Sequence, residues 1–573
     1  MNPETRSCQN CKQDFIIEAE DFSFYEKIQV PPPTWCPECR QQRRYAWRND
    51  RNLYRRECRL CQKSTVSMYS PNKPFKVYCP NCWWGDGWDA TEYGRDYDPS
   101  RPFFEQLKGL QRDVPRISLL GKNSVNSEYT THSSDNKNCF MCSSAMHCED
   151  SLYSDFIFYC ANIADCTAVY KKAERCYECV DVQNCYRCQY SVLINDCTEC
   201  YYCYDCRGCS DCFLSTNLRN KKYCFLNRQY DKESYKAKLQ EWDLASHADR
   251  EKLYVQYKEM LSGDALRRYA TIEQSVDSTG DYIFNSKNTL ICFDADRGED
   301  IKYCMNAIDS KGGMDVYRGA EKIELAYESH ALIRDYEVFF CNLSYDNSHL
   351  QYCDHCFNSQ NLFGCIGMKK GEYSILNKRY SPEDYKDLKK NIIRDMRASG
   401  EYGEFFPISL SPFGYNESHA QLYTEPLTKD QVSSHGWNWE DSGLGTFGKE
   451  TTKPEDIPDK IEDVNDSILQ AVLKCVSCSR NYNVVRPELD FYRRETLPIP
   501  RFCPTCRDRR RIALRTSRKL WSRQCMCDYA VHTNTAKHAH HPEGRCPNEF
   551  QTSYAPERPE VVYCEQCYNA EIV

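Results

Sequence analysis

Residues 195–212 read NDCTECYYCYDCRGCSDC, and Cys197, Cys200, Cys203, Cys206, Cys209 and Cys212 fall three apart without a break. A period of three suits neither the 3.6-residue turn of a helix nor the two-residue alternation of a strand, so it restricts the fold sharply. Three arrangements can produce it: turns that chelate metal or iron–sulfur clusters, a ladder of disulfides, or the inward positions of a narrow coil. The chain holds 39 cysteines among 573 residues. Its start, MNPETRSCQNCKQDF, lacks the basic-then-apolar pattern of a secretory leader. Reduced thiols are therefore expected, which disfavours the disulfide ladder.

A duplication in the middle of the chain bears on the choice. NLRNKKYCFLNRQYDKESYKAKL (217–239) parallels NLFGCIGMKKGEYSILNKRYSPEDYKDLK (361–389), and the second copy carries six extra residues, Phe363 to Met368. A fold that accepts whole triplets counts in triplets, as a solenoid with short sides does. Cys179, Cys188, Cys197 and Cys206 recur at intervals of nine, so a coil of nine to twelve residues is expected to stack them directly. Its axis would be too crowded for leucine or phenylalanine and would suit cysteine as a small hydrophobe. Tyr201, Tyr202, Tyr204, Asp205 and Arg207 would then form a wetted outer face. The metal-array reading stays open, but the triplet thiols have few basic neighbours and no paired-turn spacing. Asp231, Ser246 and Ser381-Pro382 read as helix starts, with helices positioned to cover open coil ends.

The two ends of the chain repeat each other in another way. Cys8-x-x-Cys11 is followed after 24 residues by Cys36-x-x-Cys39, and Cys475-x-x-Cys478 after 24 residues by Cys503-x-x-Cys506. Farther along, Cys58-x-x-Cys61 leads to Cys79 and Cys82, and Cys525-Met-Cys527 leads to Cys564 and Cys567. Two such turns brought together supply four thiolates, the set that tetrahedral Zn²⁺ takes in a closed structural site. About four zinc ions are thus expected, on Cys8, Cys11, Cys36, Cys39; Cys58, Cys61, Cys79, Cys82; Cys475, Cys478, Cys503, Cys506; and Cys525, Cys527, Cys564, Cys567. The last set departs from its partner, because HTNTAKHAHHPEGRC inserts His532, His538, His540, His541 and Cys546 as alternative ligands.

Segments 8–44 and 475–511 resemble the zinc-ribbon domain family, whose pattern is Cys-x-x-Cys, an aromatic-rich middle and Cys-Pro-x-Cys-Arg. Phe24, Tyr25, Pro37 and Arg40, and again Phe491, Tyr492, Pro504 and Arg507, carry that resemblance with the cysteines. The whole chain is similar to cysteine-rich proteins of small-genome bacteria, some bearing a CaiB/BaiF-type CoA-transferase label. That label would imply an enzyme, and no residues here carry its chemistry. The fold class expected is mainly β with helices: a duplicated Cys-rich β-solenoid flanked by two homologous treble-clef or zinc-ribbon modules. The segments are 1–97, an N-terminal double zinc module; 98–122, a connector; 123–263 and 264–405, two solenoid halves; 406–466, a turn-rich segment and acidic linker; and 467–573, a C-terminal double zinc module.

Charge is uneven on a chain of net charge −8, with nine basic against three acidic residues over 36–63 and nine against one over 501–523. Arg40, Arg44, Arg48, Arg51 and Arg55 would share one face of a helix, and Arg507, Arg511, Arg515 and Arg518 repeat the stripe. Forked guanidiniums beside a zinc turn suit phosphates. They suit equally well a solvated face or pairing with the acidic body. The candidate partners are RNA, a ribonucleoprotein or a protein. No segment is apolar enough to span a membrane, and a cytoplasmic location is expected.

No phosphate loop, dinucleotide fingerprint or nucleophile elbow occurs. A cytoplasmic scaffold is the first functional expectation. An enzyme with a groove on the solenoid flank is the alternative, with Asp294, Asp296, Asp309 and Asp315 as its carboxylates and His355 as its most ligand-like histidine. A protein–protein adaptor is the third.

Overall fold

The computed structural model describes residues 2–318, 323–331, 334–442, 445–532 and 534–572. The chain is mainly β, with a β-solenoid in the middle and cysteine clusters at both ends. It divides into two compact units that join distant segments. One unit combines the N-terminal module with the second solenoid half, as residues up to Ser118, Ala270–Glu440 and Arg518–Leu520. The other combines the first solenoid half with the C-terminal module, as Leu119–Tyr269, Asp441–Ser517 and the chain from Trp521 onward.

The triplet of the sequence is one side of a coil. In each triplet the first residue points to the axis, the second makes a parallel bridge to neighbouring coils, and the third turns the corner in the left-handed region. Asp196, Glu199, Tyr202 and Asp205 are successive corners, at φ of 53°, 52°, 56° and 48°. Bridges such as Tyr186↔Thr198 and Gln189↔Tyr201, and the strand register Cys200↔Cys212↔Cys224, fix the coil at twelve residues, four sides of three. One extra residue enters at Lys171–Lys172, where two left-handed residues stand together, and the triplets resume unchanged.

Backbone hydrogen bonding explains the chemistry of the axis. The bridging Thr198 donates to the carbonyl of Cys209 in the next coil, and the corner Glu199 donates to Tyr186 in the one before. The amide of an inward residue faces the axis, where no carbonyl meets it, and a buried orphan N–H is costly. The inward side chain twelve residues earlier accepts it instead. Cys197 N–H meets Cys185 Sγ at 3.4 Å, Cys203 N–H meets Ser191 Oγ at 3.1 Å, and Asn227 N–H meets Ser215 Oγ at 3.1 Å. The thiol in turn donates to carbonyls two residues back and nine ahead, as Cys197 does to Asn195 and Cys206. Nine is therefore a diagonal sulfur–carbonyl step, and direct stacking runs at twelve, the upper end of the nine to twelve expected. All the cysteines are free thiols, and burial pushes the thiols of Cys179, Cys188 and Cys203 upward.

Two expectations about the coil need correction. Leucine is not excluded from the axis: Leu350 and Leu362 are buried in register with Ser374 in the second half. Gly371, close to Leu362 and Met368, leaves them room. Nor is the outer face wholly wetted. Tyr202, Tyr204 and Asp205 are buried, because the helix His247–Gly263 and the C-terminal module cover them. Tyr257 of that helix packs on Tyr202 and donates to the carbonyl of Cys203 at 3.2 Å. The uncovered flank carries charge pairs at the twelve-residue step, including Lys137–Glu149, Arg187–Glu199 and Arg334–Asp346.

Each solenoid half ends in a short antiparallel return and a capped helix. Lys232–Leu239 starts behind Asp231, which accepts from Ser234 N–H at 2.8 Å, and lays Tyr235 against the last coil. Pro382–Ser399 starts behind Ser381 and stops at Gly400 in the left-handed conformation. In the turn-rich segment, Trp437 and Trp439 pack with Phe293, Met305 and Tyr317 of the solenoid.

The column Ser191–Cys203–Ser215 sets a test of the axis. Cys203→Ser keeps a small donor and acceptor and is expected to change stability by less than about 1.5 kcal/mol. Cys203→Phe overfills the coil and is expected to cost about 1–3 kcal/mol or more. Denaturant midpoints of the two variants check this, and equal midpoints would contradict a packed axis.

Candidate metal centres

Four cysteines meet in each module by the same local route. The antiparallel hairpin Glu4–Ser7/Asp14–Ile17 carries Cys8 and Cys11 in its turn, which Lys12 closes at φ 63°. Cys36 caps the helix Pro37–Tyr45, with proline at its first position and Cys39 in its first turn. The Cys36 amide donates to Cys8 Sγ at 3.2 Å, and the Cys11 and Cys36 sulfurs stand 3.8 Å apart. Four thiolates around one tetrahedral zinc-sized ion lie about 3.8 Å from each other.

The geometry recurs at Cys58, Cys61, Cys79 and Cys82. There the hairpin Tyr54–Glu57/Ser64–Ser67 meets the helix Pro80–Trp84, and Cys61 and Cys79 lie 3.9 Å apart. It recurs again at Cys475, Cys478, Cys503 and Cys506, where Cys478 and Cys503 lie 3.7 Å apart. In each of these sets the ligand sulfurs all lie within 4.8 Å of one another, and each set could hold a metal ion.

In each of these three sets hydrogen bonds favour the thiolate form at one cysteine, the first of the hairpin turn. Burial pushes the Cys8 thiol up, but N–H groups of Cys36, Cys11 and Asn10 outweigh it and bring it to about 7. Cys58 is brought to about 6 in the same way. The Cys503 thiol holds Cys475 down at about 4.

The fourth cluster corrects the sequence reading. Cys525, Cys564 and Cys567 come together as expected, but their fourth member is Cys546, not Cys527. The Cys525 sulfur accepts from Cys564 N–H at 3.1 Å, and Cys546 and Cys564 stand 3.9 Å apart, matching Cys61 and Cys79. The insertion lengthens the turn between Trp521–Gln524 and Glu549–Thr552. It leaves Cys546 three residues before the second strand, as Cys61 is before Ser64. A spacing of 18 to the helix cap, from Cys61 to Cys79 and from Cys546 to Cys564, was the available signal. Cys527 instead faces His538.

The arginine stripes are not helical over their predicted length. The helix Pro37–Tyr45 stops before Arg48, Asn49 Oδ1 then accepts from the amides of Arg51 and Asn52 in a turn, and Arg55 lies in the strand Tyr54–Glu57. Arg515 and Arg518 likewise follow the end of Pro504–Ile512. Nor do most of these arginines face solvent. Arg40 and Arg44 are both buried on Asp315, at 2.8 and 3.2 Å, and the neighbouring Arg43 binds Glu328. In the other unit Arg507 and Arg511 share Asp165, at 3.2 and 3.1 Å, and Arg511 also reaches Glu178 at 3.4 Å. Arg507 lies over Tyr153 and Arg40 over Tyr303. The solenoid partners of the two modules are offset by 150 residues in each case, so the docking is duplicated along with the sequence.

Arg48 pairs with Asp50, which also takes Arg318 and His419. Arg515 pairs with Asp181 and Arg518 with Asp294. At least seven of the nine stripe arginines thus meet carboxylates of their own unit in place of phosphates. Arg51 is half-buried and Arg55 exposed.

The carboxylates offered for a groove are engaged as well. Asp294 and Asp315 hold these arginines, and Asp296 and Asp309 both hold Arg297. His355 bonds Asp354 at 2.6 Å, and Asp354 also binds Arg116. Asp165 and Asp315 each neutralise two buried guanidiniums. Asp315→Ala takes the shared carboxylate from Arg40 and Arg44 and is expected to lower the stability of its unit by about 3–5 kcal/mol, and Asp165→Ala is expected to cost less, since Glu488 still pairs with Arg507 and Glu178 with Arg511. Denaturant midpoints check this, with the exposed Lys390→Ala as the comparison expected to stay within about 0.5 kcal/mol.

No helix among the described residues is long and apolar enough to cross a membrane. No family model matches this sequence, and comparison with curated proteins finds no match either.

Proposed function

We propose that this chain is a zinc-stapled, non-catalytic scaffold whose terminal modules clamp onto the flanks of its solenoid. The observation that carries the proposal is the repeated centre of four cysteines, two from a hairpin turn and two from a helix start. Four thiolates close every tetrahedral position, which suits structural zinc and leaves no place for substrate. Modules this small have little core of their own, so the ion contributes folding free energy. A bound ion also fixes the helix that aims Arg40 and Arg44, or Arg507 and Arg511, at one aspartate. Reduced thiols throughout the axis support a cytoplasmic setting.

Elemental analysis of the purified full chain is expected to give zinc, at no fewer than four equivalents. The Cys8→Ser/Cys36→Ser variant is expected to lose one equivalent and to become protease-sensitive within residues 1–97. Iron in place of zinc, or fewer than four equivalents in the parent, would overturn the assignment.

For a partner, the scaffold reading favours a protein over RNA, since phosphate binding by the stripes would have to break buried ion pairs. Fluorescence anisotropy with single- and double-stranded RNA is expected to show no saturable binding that weakens with salt. Salt-sensitive saturation would restore the RNA or ribonucleoprotein reading.

A further inference from the structure

The insertion that displaces Cys527 builds a second donor set beside the fourth cluster. Cys527, His538, His541 and Cys567 are all buried, with their ligand atoms within 4.8 Å of one another. Cys527 Sγ lies 3.4 Å from His538 Nδ1, His538 Nδ1 lies 3.1 Å from His541 Nε2, and His541 Nε2 lies 3.1 Å from Cys567 Sγ. With zinc–sulfur bonds of about 2.3 Å and zinc–nitrogen bonds of about 2.0–2.1 Å, the edges of a tetrahedral S₂N₂ site are about 3.3–3.8 Å. The donor atoms stand close to those edges.

Two further contacts point to a ligand. His538 places its other ring nitrogen 2.8 Å from Glu571 Oε1, the outer carboxylate that commonly orients a metal-bound imidazole. Glu571 also accepts from Thr535 N–H and Oγ1–H, at 2.7 and 2.6 Å, and so ties the insertion to the last helix. Asn534 donates to Cys527 Sγ at 3.4 Å, a contact suited to a thiolate.

We propose that Cys527, His538, His541 and Cys567 bind a further zinc ion. Cys567 would bridge it to the ion held by Cys525, Cys546 and Cys564. Charge supports the pair. One dication among four thiolates leaves two negative charges buried, whereas two dications among five thiolates leave one, and burying less net charge costs less. The bridge rests on the Cys₄ reading of the neighbouring centre, but the second donor set has its own signature in the histidines.

The test counts metal in the full chain by native mass spectrometry after loading with zinc and removal of excess. Five equivalents are expected in the parent and four in His538→Asn/His541→Asn. Equal counts in the two proteins overturn the proposal. A parent count of four that falls to three in the variant supports this site and removes one of the other centres instead. Should the double variant fail to fold, Cys527→Ser replaces it, again with a loss of one equivalent expected. Cadmium-113 NMR of the substituted full chain reads the bridge: two resonances coupled to each other, with the coupling lost in the variant, support it. Five resonances in the parent with no coupling between any two would refute the shared sulfur.

Discussion

The inward amide of each three-residue side is the constraint on which the solenoid depends. A coil of four such sides is too tight for every backbone donor to find a carbonyl in a neighbouring coil, and the donor left over points at the axis. A small side chain that can both accept from that amide and donate to a carbonyl satisfies it, whereas apolar inward residues such as Ile194, Val182 and Leu350 fill the axis by packing alone. Cysteine and serine meet those conditions, and Ser191, Cys203 and Ser215 interchange within one column. The left-handed corners carry backbone strain of about 1–3 kcal/mol at each non-glycine residue. They persist because the corner amides, such as Glu199 to Tyr186, are bonded to the preceding coil.

Sulfur does different work at the ends. At the termini the thiols sit on hairpin turns and helix caps, where N–H groups converge on them and favour the thiolate. Along the axis they donate to carbonyls and desolvation keeps Cys203 and Cys188 protonated. Thiols of both kinds accept backbone amides, as Cys185 and Cys8 do, and what sets the axis apart is the added donation to a carbonyl.

Much of this was legible in the sequence, and the failures have physical causes. The triplet period revealed a coil counted in threes, since each inward position restricts residue type strongly. The six-residue insertion was a misalignment: Ser210–Phe213 and Gln360–Phe363 are equivalent strands at the same 150-residue offset as Asp165 and Asp315, which leaves no extra residues. The coil length was harder to read, because the nine-residue cysteine interval reports the diagonal sulfur–carbonyl bond and not the stack. The paired turns revealed three of the four clusters directly. Cys546 was obscured because the insertion breaks the local Cys-x-x-Cys pattern while preserving the longer spacing to Cys564. The arginines were visible as a stripe but their partners were not. Asp315 lies 275 residues from Arg40, and Asp165 lies 342 residues before Arg507, and nothing local in either segment encodes that meeting.

The crosswise pairing of modules and solenoid halves has a consequence for biosynthesis. The N-terminal arginines leave the ribosome long before Asp315 and Glu328 exist. The first solenoid half must likewise wait for the last hundred or so residues before Asp165 is neutralised. Neither unit can close during early elongation, so the nascent chain carries unpaired charges of both signs through most of translation. Early metal capture by the first module would keep its helix in shape throughout that delay.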